Sequence, residues 1–321
     1  MADDDAAATG AGAREANLRI TLLGRGAWGS TLERLWRQAG HQLVSWSRRD
    51  GGSAIPLLAD SELVVSAVSM AALNSLAAEL APHWPAGLPL LSCSKGIDPE
   101  RLGTASQLWQ HWLVQAPLAA LSGPNLADEL DRGLPAASVI ASRDTALARQ
   151  LQLQLRAPHL RLYTNDDPIG TEAAAALKNV MAVAAGISDG LGLGANAKAS
   201  LLTRGLAEIA LVLAALGGQP ATLYGLAGLG DLLATANSSL SRNYRFGGLL
   251  ARGLSEAEAL AAIAATVEAP RTARASLALA DQRRLELPIC SQVVQLLEGR
   301  CDAPTAVRLL MERDPRPEGQ R

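Results

Sequence analysis

The chain meets almost every need for a positive charge with arginine; its 321 residues include three lysines, Lys95, Lys178 and Lys198. A lysine in a dry pocket can be tuned to release its proton, which an arginine does not readily do. Lys178 is the strongest candidate for such work. It lies in Thr171-Glu172-Ala173-Ala174-Ala175-Ala176-Leu177-Lys178-Asn179-Val180, a helical pattern that is almost wholly apolar around one ammonium. A helix of this kind is buried on most faces, and lysine is seldom buried without a partner or a task. The bland alternative is a cap on a polar cluster between helices.

Two segments downstream hold complementary groups. Gly225-Leu226-Ala227-Gly228-Leu229-Gly230-Asp231 brings a carboxylate in on a Gly-rich turn that permits close backbone approach. Ser238-Ser239-Leu240-Ser241-Arg242-Asn243 presents hydroxyls, a guanidinium and an amide in one run. A fork-shaped cation with neutral donors suits a phosphate monoester, although Ser-Arg-Asn alone is also an ordinary helix cap.

The elements that position these groups fall into two series. Leu18–Leu23 is strand-like and runs into Gly24-Arg25-Gly26-Ala27-Trp28-Gly29, followed by a helical pattern over 30–38 and a second strand at 43–46. A G-x-G-x-x-G after a strand, opening a helix within a unit of about 30 residues, is a dinucleotide fingerprint. Gly24 serves the tight turn, Gly26 the approach of the pyrophosphate and Gly29 the packing of helix on sheet. An NAD site usually has an acid at the end of the second strand, whereas an NADP site tolerates arginine. Here the strand ends in Ser47-Arg48-Arg49, so NADP is the preferred cofactor and NAD the second.

The alternation continues with strands at 62–68, 88–91, 118–121, 136–141 and 160–163 and helices at 71–80 and 99–112. Lys95 follows the fourth strand and Gly123-Pro124-Asn125 the fifth, both where ligand crevices form in open sheets. Asp167-Pro168 reads as a helix start. Beyond it the periodicity is helical at 170–188, 198–216, 255–265, 272–284, 289–298 and 304–312. The reading is an α/β chain: a flexible tail (1–17), a Rossmann-like doubly wound dinucleotide-binding domain (18–164), an all-helical substrate and catalytic domain (165–313) and a polar tail (314–321).

Composition narrows the function. A formal net charge of −2 with 3% aromatic residues and no basic stripe argues against nucleic acid. Cys93, Cys290 and Cys301, without a CxxC, fit a reducing cytosol. The most apolar run, 209–216, is far below the roughly 20 residues of a membrane span. No cluster of His, Cys and acids suggests a metal.

Taken together, the segments resemble the bacterial-type NAD(P)-dependent glycerol-3-phosphate dehydrogenases from Ile20 to about Met311. The matching pieces are Gly24-x-Gly26-x-Trp28-Gly29, Ser94-Lys95-Gly96, Gly123-Pro124, Leu177-Lys178-Asn179-Val180, Thr203-Arg204-Gly205, Gly228-x-Gly230-Asp231, Ser241-Arg242-Asn243 and Val267-Glu268. The resemblance implies reversible reduction of dihydroxyacetone phosphate to sn-glycerol 3-phosphate by NAD(P)H, supplying glycerophospholipid synthesis. It implies that Lys178 is the proton donor and acceptor, that Lys95 contacts cofactor and substrate, and that Asp231 helps to position the reacting end. Gly123, Asn125, Ser241, Arg242 and Asn243 would bind substrate, and Trp28, Arg48 or Arg49, Ala127, Arg242 and Glu268 would lie along the cofactor. The chain departs from the family at Ala27, Asn125 and Ala269, and its segment between the second and third strands is short. The expected partner is a small phosphorylated ketone or alcohol, with self-association into a homodimer left open.

A β-hydroxyacid dehydrogenase of the 6-phosphogluconate type shares the Lys-Asn helix but not Gly-Asp followed by Ser-Arg-Asn. A histidine-based dehydrogenase is disfavoured because His41, His83, His111 and His159 lie outside every site-like loop. A redox-sensing protein without turnover would have no use for Lys95, Lys178, Asp231 and Arg242 together.

Overall fold

The computed structural model describes residues 17–315 and 317. The tail expected at 1–17 lies outside the described residues except for Asn17, as do 316 and 318–321 of the polar tail. The first half alternates: β1 (Arg19–Leu23), α1 (Ala27–Gln38), β2 (Gln42–Trp46), α2 (Ile55–Leu58), β3 (Leu63–Ser66), α3 (Met70–Leu80), β4 (Leu90–Ser92), α4 (Ala105–Trp112), β5 (Leu118–Ser122), α5 (Ala127–Asp131), β6 (Ala136–Ala141), α6 (Thr145–Gln154) and β7 (Leu160–Asn165). The second half is helical: α7 (Pro168–Gly190), α8 (Gly194–Leu216), α9 (Asp231–Ala236), α10 (Arg242–Ala251), α11 (Glu256–Ile263), α12 (Ala269–Arg283), α13 (Pro288–Leu297) and α14 (Ala303–Met311).

The strands form one sheet in the order β2-β1-β3-β4-β5-β6-β7. Every residue of β3 and β4 is buried, as expected of strands covered on both faces. One face packs against α1 and α6 through Leu32, Trp36 and Leu151, and the other against α3 and α4 through Leu73, Leu76 and Trp109. The expected doubly wound architecture is therefore present. The chain reverses its winding between β1 and β3, and such a switch point opens a crevice at the strands' carboxyl ends.

Several expectations need correction. β6 runs antiparallel to β5 while every other pair is parallel, so the sheet is mixed. α6 carries no motif and was not expected. The helix expected over 99–112 begins only at Ala105. Thr104 and Gln107 form a capping box, and the preceding turn is closed by Asp98, whose carboxylate accepts from Glu100 N and Arg101 N. The Gly-rich turn at 225–231 is helical: Leu226–Gly230 forms a π turn that leads directly into α9. The apolar run at 209–216 is the end of α8, whose 23 residues include an 18-residue window with a mean hydropathy of 1.7, long and apolar enough to cross a membrane. Only a third of that window is buried, and its buried Glu208 accepts from Ile289 N and Cys290 N at the start of α13.

α7 is the axis of the helical half, with every residue from Pro168 to Ser188 buried. Asp167 caps it by accepting from Gly170 N, and the same carboxylate accepts from Gln219 N and Thr222 Oγ1. α10 lies against α7 at backbone contact. A Cβ on Gly186 would overlap Tyr244 O, and one on Gly247 would overlap Val183 O. This contact brings the start of α10 to the middle of α7. Gly247→Ala should therefore push the helices apart, lowering stability by about 1–3 kcal/mol, the usual range for overpacking. A urea titration reads the stability, and a parallel fall in turnover reads the displaced site.

Candidate active site

The cofactor turn can be tested against the geometry. Gly24 has φ +105°, which a side chain would strain, and a Cβ there would also lie 2.7 Å from Ala67 O of the strand-end loop after β3. A Cβ on Gly29 would overlap Gly24 O, whereas Gly26 faces space with nothing within 4 Å. Gly26 is also the N-cap of α1 and no side chain caps that end. The turn therefore offers free backbone N–H groups and an open approach, which suits a pyrophosphate. Trp28 is half-buried against the core beneath the turn.

Arg48 and Arg49 occupy a short 3₁₀ turn after β2. β2 is three strand spacings from β4, which carries Lys95, or roughly 14 Å. Arg48 and Arg49 and the loop that holds Lys95 therefore stand apart along the carboxyl edge of the sheet. Arg48 Nη2 donates to Ser75 Oγ at 3.1 Å, and Arg49 is exposed.

The lysines, by contrast, converge. Lys178 Nζ donates to Asp231 Oδ1 at 2.7 Å and to Thr235 Oγ1 at 2.6 Å. Lys95 Nζ donates to Asp231 Oδ2 at 2.7 Å and to Gly123 O at 3.3 Å. One carboxylate is shared by two ammoniums, one on each oxygen. Asp231 is 1% exposed and Lys178 6%, so the charges interact with little screening by water. Lys198 has no part in this: it pairs with Asp189 and lies over the Tyr244 ring.

Burial pushes the Lys178 ammonium down to about 8. Lys95 and Arg242 push it the same way, and Asp231 opposes them. For Asp231 burial pushes upward, but the two ammoniums outweigh it and hold the carboxyl below its usual range. The three groups keep one net positive charge, with the Lys178 ammonium held below its usual range.

Around this centre the other candidates are distributed as follows. A Cβ on Gly123 would lie 2.8 Å from Ala137 O, so the loop after β5 passes tightly over β6. Asn125 Oδ1 accepts from Ser138 Oγ at 2.7 Å, and its Nδ2 is buried without a protein partner. Ala127 opens α5, half-buried. Ser241 is the N-cap of α10 and accepts from Tyr244 N, so the Ser-Arg-Asn run is the helix cap its residue types allow, with Arg242 and Asn243 in the first turn. Arg242 is exposed, yet its charge reaches both Lys178 and Glu268. Asn243 joins three helices: its Nδ2 donates to Asn179 Oδ1 on α7 and its Oδ1 accepts from Ala269 N on α12. Glu268 is the N-cap residue of α12, and burial raises its pKa against the pull of Arg271 and Arg242.

Sequence reasoning missed Thr235 and undervalued Asn179. Thr235 stands one helical turn after Asp231, a spacing that faces the two side chains together. Reading 225–231 as a loop concealed that turn. Thr272 was also missed; it is 1% exposed with an unpartnered Oγ1 close to Gly96.

Comparison with known proteins places the chain. Residues 167–308 match the model for the NAD-dependent glycerol-3-phosphate dehydrogenase C-terminus, and residues 53–148 the model for its N-terminus. A glycerol-3-phosphate dehydrogenase [NAD(P)+] of Synechococcus sp. (strain RCC307) is 53% identical over 94% of this chain and 99% of its own length. That of Synechocystis sp. (strain ATCC 27184 / PCC 6803 / Kazusa) is 46% identical over 94% and 95%. The crystal structure of glycerol-3-phosphate dehydrogenase from Coxiella burnetii superposes with a TM-score of 0.87 at 32% identity, covering 92% of this chain and 99% of that one. With a Gly-rich turn at the sheet's switch point, a shared carboxylate between two lysines and identity of this extent, the chain belongs to the NAD(P)-dependent glycerol-3-phosphate dehydrogenase family.

Proposed function

We propose that the chain reduces dihydroxyacetone phosphate to sn-glycerol 3-phosphate, and catalyses the reverse oxidation, with Lys178 as the acid and base. The observation that carries this reading is the buried Lys178–Asp231–Lys95 arrangement, with Thr235 on the same ammonium. When bound, the nicotinamide supplies the hydride that adds to C2. As that bond forms, the carbonyl electron pair moves onto oxygen. Lys178 and Lys95 stabilise this charge, and Lys178 delivers the proton. In the oxidative direction Lys178 must first be neutral, and its lowered pKa makes that accessible. Asp231 holds both ammoniums at fixed positions before substrate arrives, so little reorganisation accompanies the reaction.

The substrate phosphate has a receptor in the first turn of α10. Free N–H groups at a helix N-terminus favour an anion, Arg242 adds a planar cation and Asn243 an amide braced by α7 and α12. At the other end of the crevice, Arg48 and Arg49 favour the 2′-phosphate of NADP over the bare ribose of NAD. The three cysteines are free, in keeping with a cytosolic setting.

Energy from binding the remote phosphate can orient C2 against the hydride donor, so its loss should lower turnover as well as affinity. The wild-type enzyme should reduce dihydroxyacetone phosphate far better than dihydroxyacetone, measured by loss of NADPH absorbance. In Arg242→Ala the two ketones should converge, and Arg242→Lys should restore the difference only in part because charge returns without the fork. Full retention of the preference in Arg242→Ala would place the phosphate elsewhere.

The pH dependence follows from Lys178. Reduction requires its ammonium, so the rate of that direction should fall as pH rises through about 8, and oxidation should rise over the same interval. Asp231→Asn removes the one anion that favours the ammonium. Both limbs should then move to lower pH, alongside a loss of rate from the unneutralised pair of cations. Limbs that stay in place would show that another group titrates.

A further inference from the structure

The end of β2 carries more charge than its two consecutive arginines. Gly24 N donates to Trp46 O at 2.8 Å, which lays the dinucleotide turn beside the residues that follow β2. Arg25, between the first two glycines of that turn, reaches across: its Nη1 donates to Asp50 Oδ2 at 3.0 Å. Both side chains are about half exposed, at 51% and 54%. Asp50 closes the 3₁₀ turn that begins with Arg48, and Ser47 caps that turn by accepting from Arg49 N. Three guanidiniums and the Asp50 carboxylate therefore share the adenosine end of the crevice, and the charge of Arg25 also reaches Glu33 on α1.

The carboxylate is the difficulty. An acid at this location serves the ribose hydroxyls of NAD, and it repels a phosphate dianion within the screening distance of about 8 Å at physiological salt. Arg25 holds it through a single N–H, and a guanidinium has five N–H donors in a fixed fork. Among the described residues no second acceptor meets the remaining donors, while the charge of Asp50 is neutralised.

We propose that Arg25 is a cofactor-specificity residue: held in place by Asp50, it neutralises that carboxylate and turns its free N–H groups to the 2′-phosphate of NADPH. Asp50 is thus both the brace for Arg25 and the group whose charge Arg25 must cancel. The proposal rests on the reading that the β2 end receives the 2′-phosphate, and its test separates the two.

The test measures binding without turnover. Calorimetry gives the affinities of adenosine 2′,5′-bisphosphate and adenosine 5′-monophosphate for wild type, R25A, D50N, R25A/D50N and R48A/R49A. Exposed ion pairs contribute little to stability, so these variants should fold, and circular dichroism checks that they do. The wild type should prefer the bisphosphate. In R25A that preference should fall about tenfold, since a charge-assisted contact is lost and Asp50 is left unneutralised. R25A/D50N should recover part of the loss, because the repulsion is removed as well. A preference in R25A within twofold of wild type, while R48A/R49A abolishes it, would overturn the role of Arg25 and leave the β2 end as the phosphate site. Equal weakening of both nucleotides in R25A would also overturn it, as that is a structural effect on the turn. A wild type without preference, unchanged in R48A/R49A, would overturn the underlying reading together with the proposal.

Discussion

Asp231 is the point on which the site depends. A carboxylate that is 1% exposed would be strongly disfavoured alone, and so would each ammonium beside it. Together they form a group with one net positive charge, and every oxygen of the carboxylate is used. The three charges come from distant parts of the chain: the loop after β4, the middle of α7 and the start of α9. A shift of α7 away from α9 would strip the buried Lys178 of Asp231, and a shift of the loop after β4 would strip Asp231 of one of its two ammoniums. The same interaction ties the sheet to the helices, assisted by Glu172, whose carboxylate on α7 accepts from Ser106 N at the start of α4, and by the Arg271–Asp98 pair.

The architecture divides the work along one crevice. Carboxyl ends of strands bring loops to its rim. Two helix N-termini, those of α1 and α10, offer backbone donors where anions are expected, and α7 holds the Lys178 ammonium in a dry core. Glycines at 186 and 247 let α7 and α10 touch backbone to backbone. Asn243, bridging Asn179 and Ala269 N, then sets the first turn of α10 against both neighbours.

Much of this was legible in the residues. The fingerprint Gly24-x-Gly26-x-x-Gly29 announced a strand, a turn and a helix, and β1, the turn and α1 follow in that order. An ammonium inside an Ala/Leu helix announced burial, and Lys178 is buried. What stayed hidden depended on tertiary contacts. Gly225 to Gly230 reads as a loop because glycine favours turns, yet Gly228 packs against the backbone of Leu223 and the segment winds into a π turn. That misreading hid the pairing of Asp231 with Thr235. The direction of β6 leaves no trace in its own pattern, since an apolar strand looks alike in either sense. Pro99 suits a first helical residue, but the side chain of Asp98 closes a turn there and α4 starts at Ala105.

The central claim is that the buried ammonium of Lys178 drives the proton step while the rest of the crevice binds. Lys178→Met keeps the length and apolar stem of the side chain and removes the charge. Single-turnover reduction of dihydroxyacetone phosphate, measured beside NADPH binding by fluorescence, tests the claim most directly. The account predicts unchanged NADPH affinity with the rate of the chemical step lowered 10²–10⁴-fold, the usual contribution of a general acid. A variant that binds NADPH and keeps more than about a tenth of that rate would contradict it.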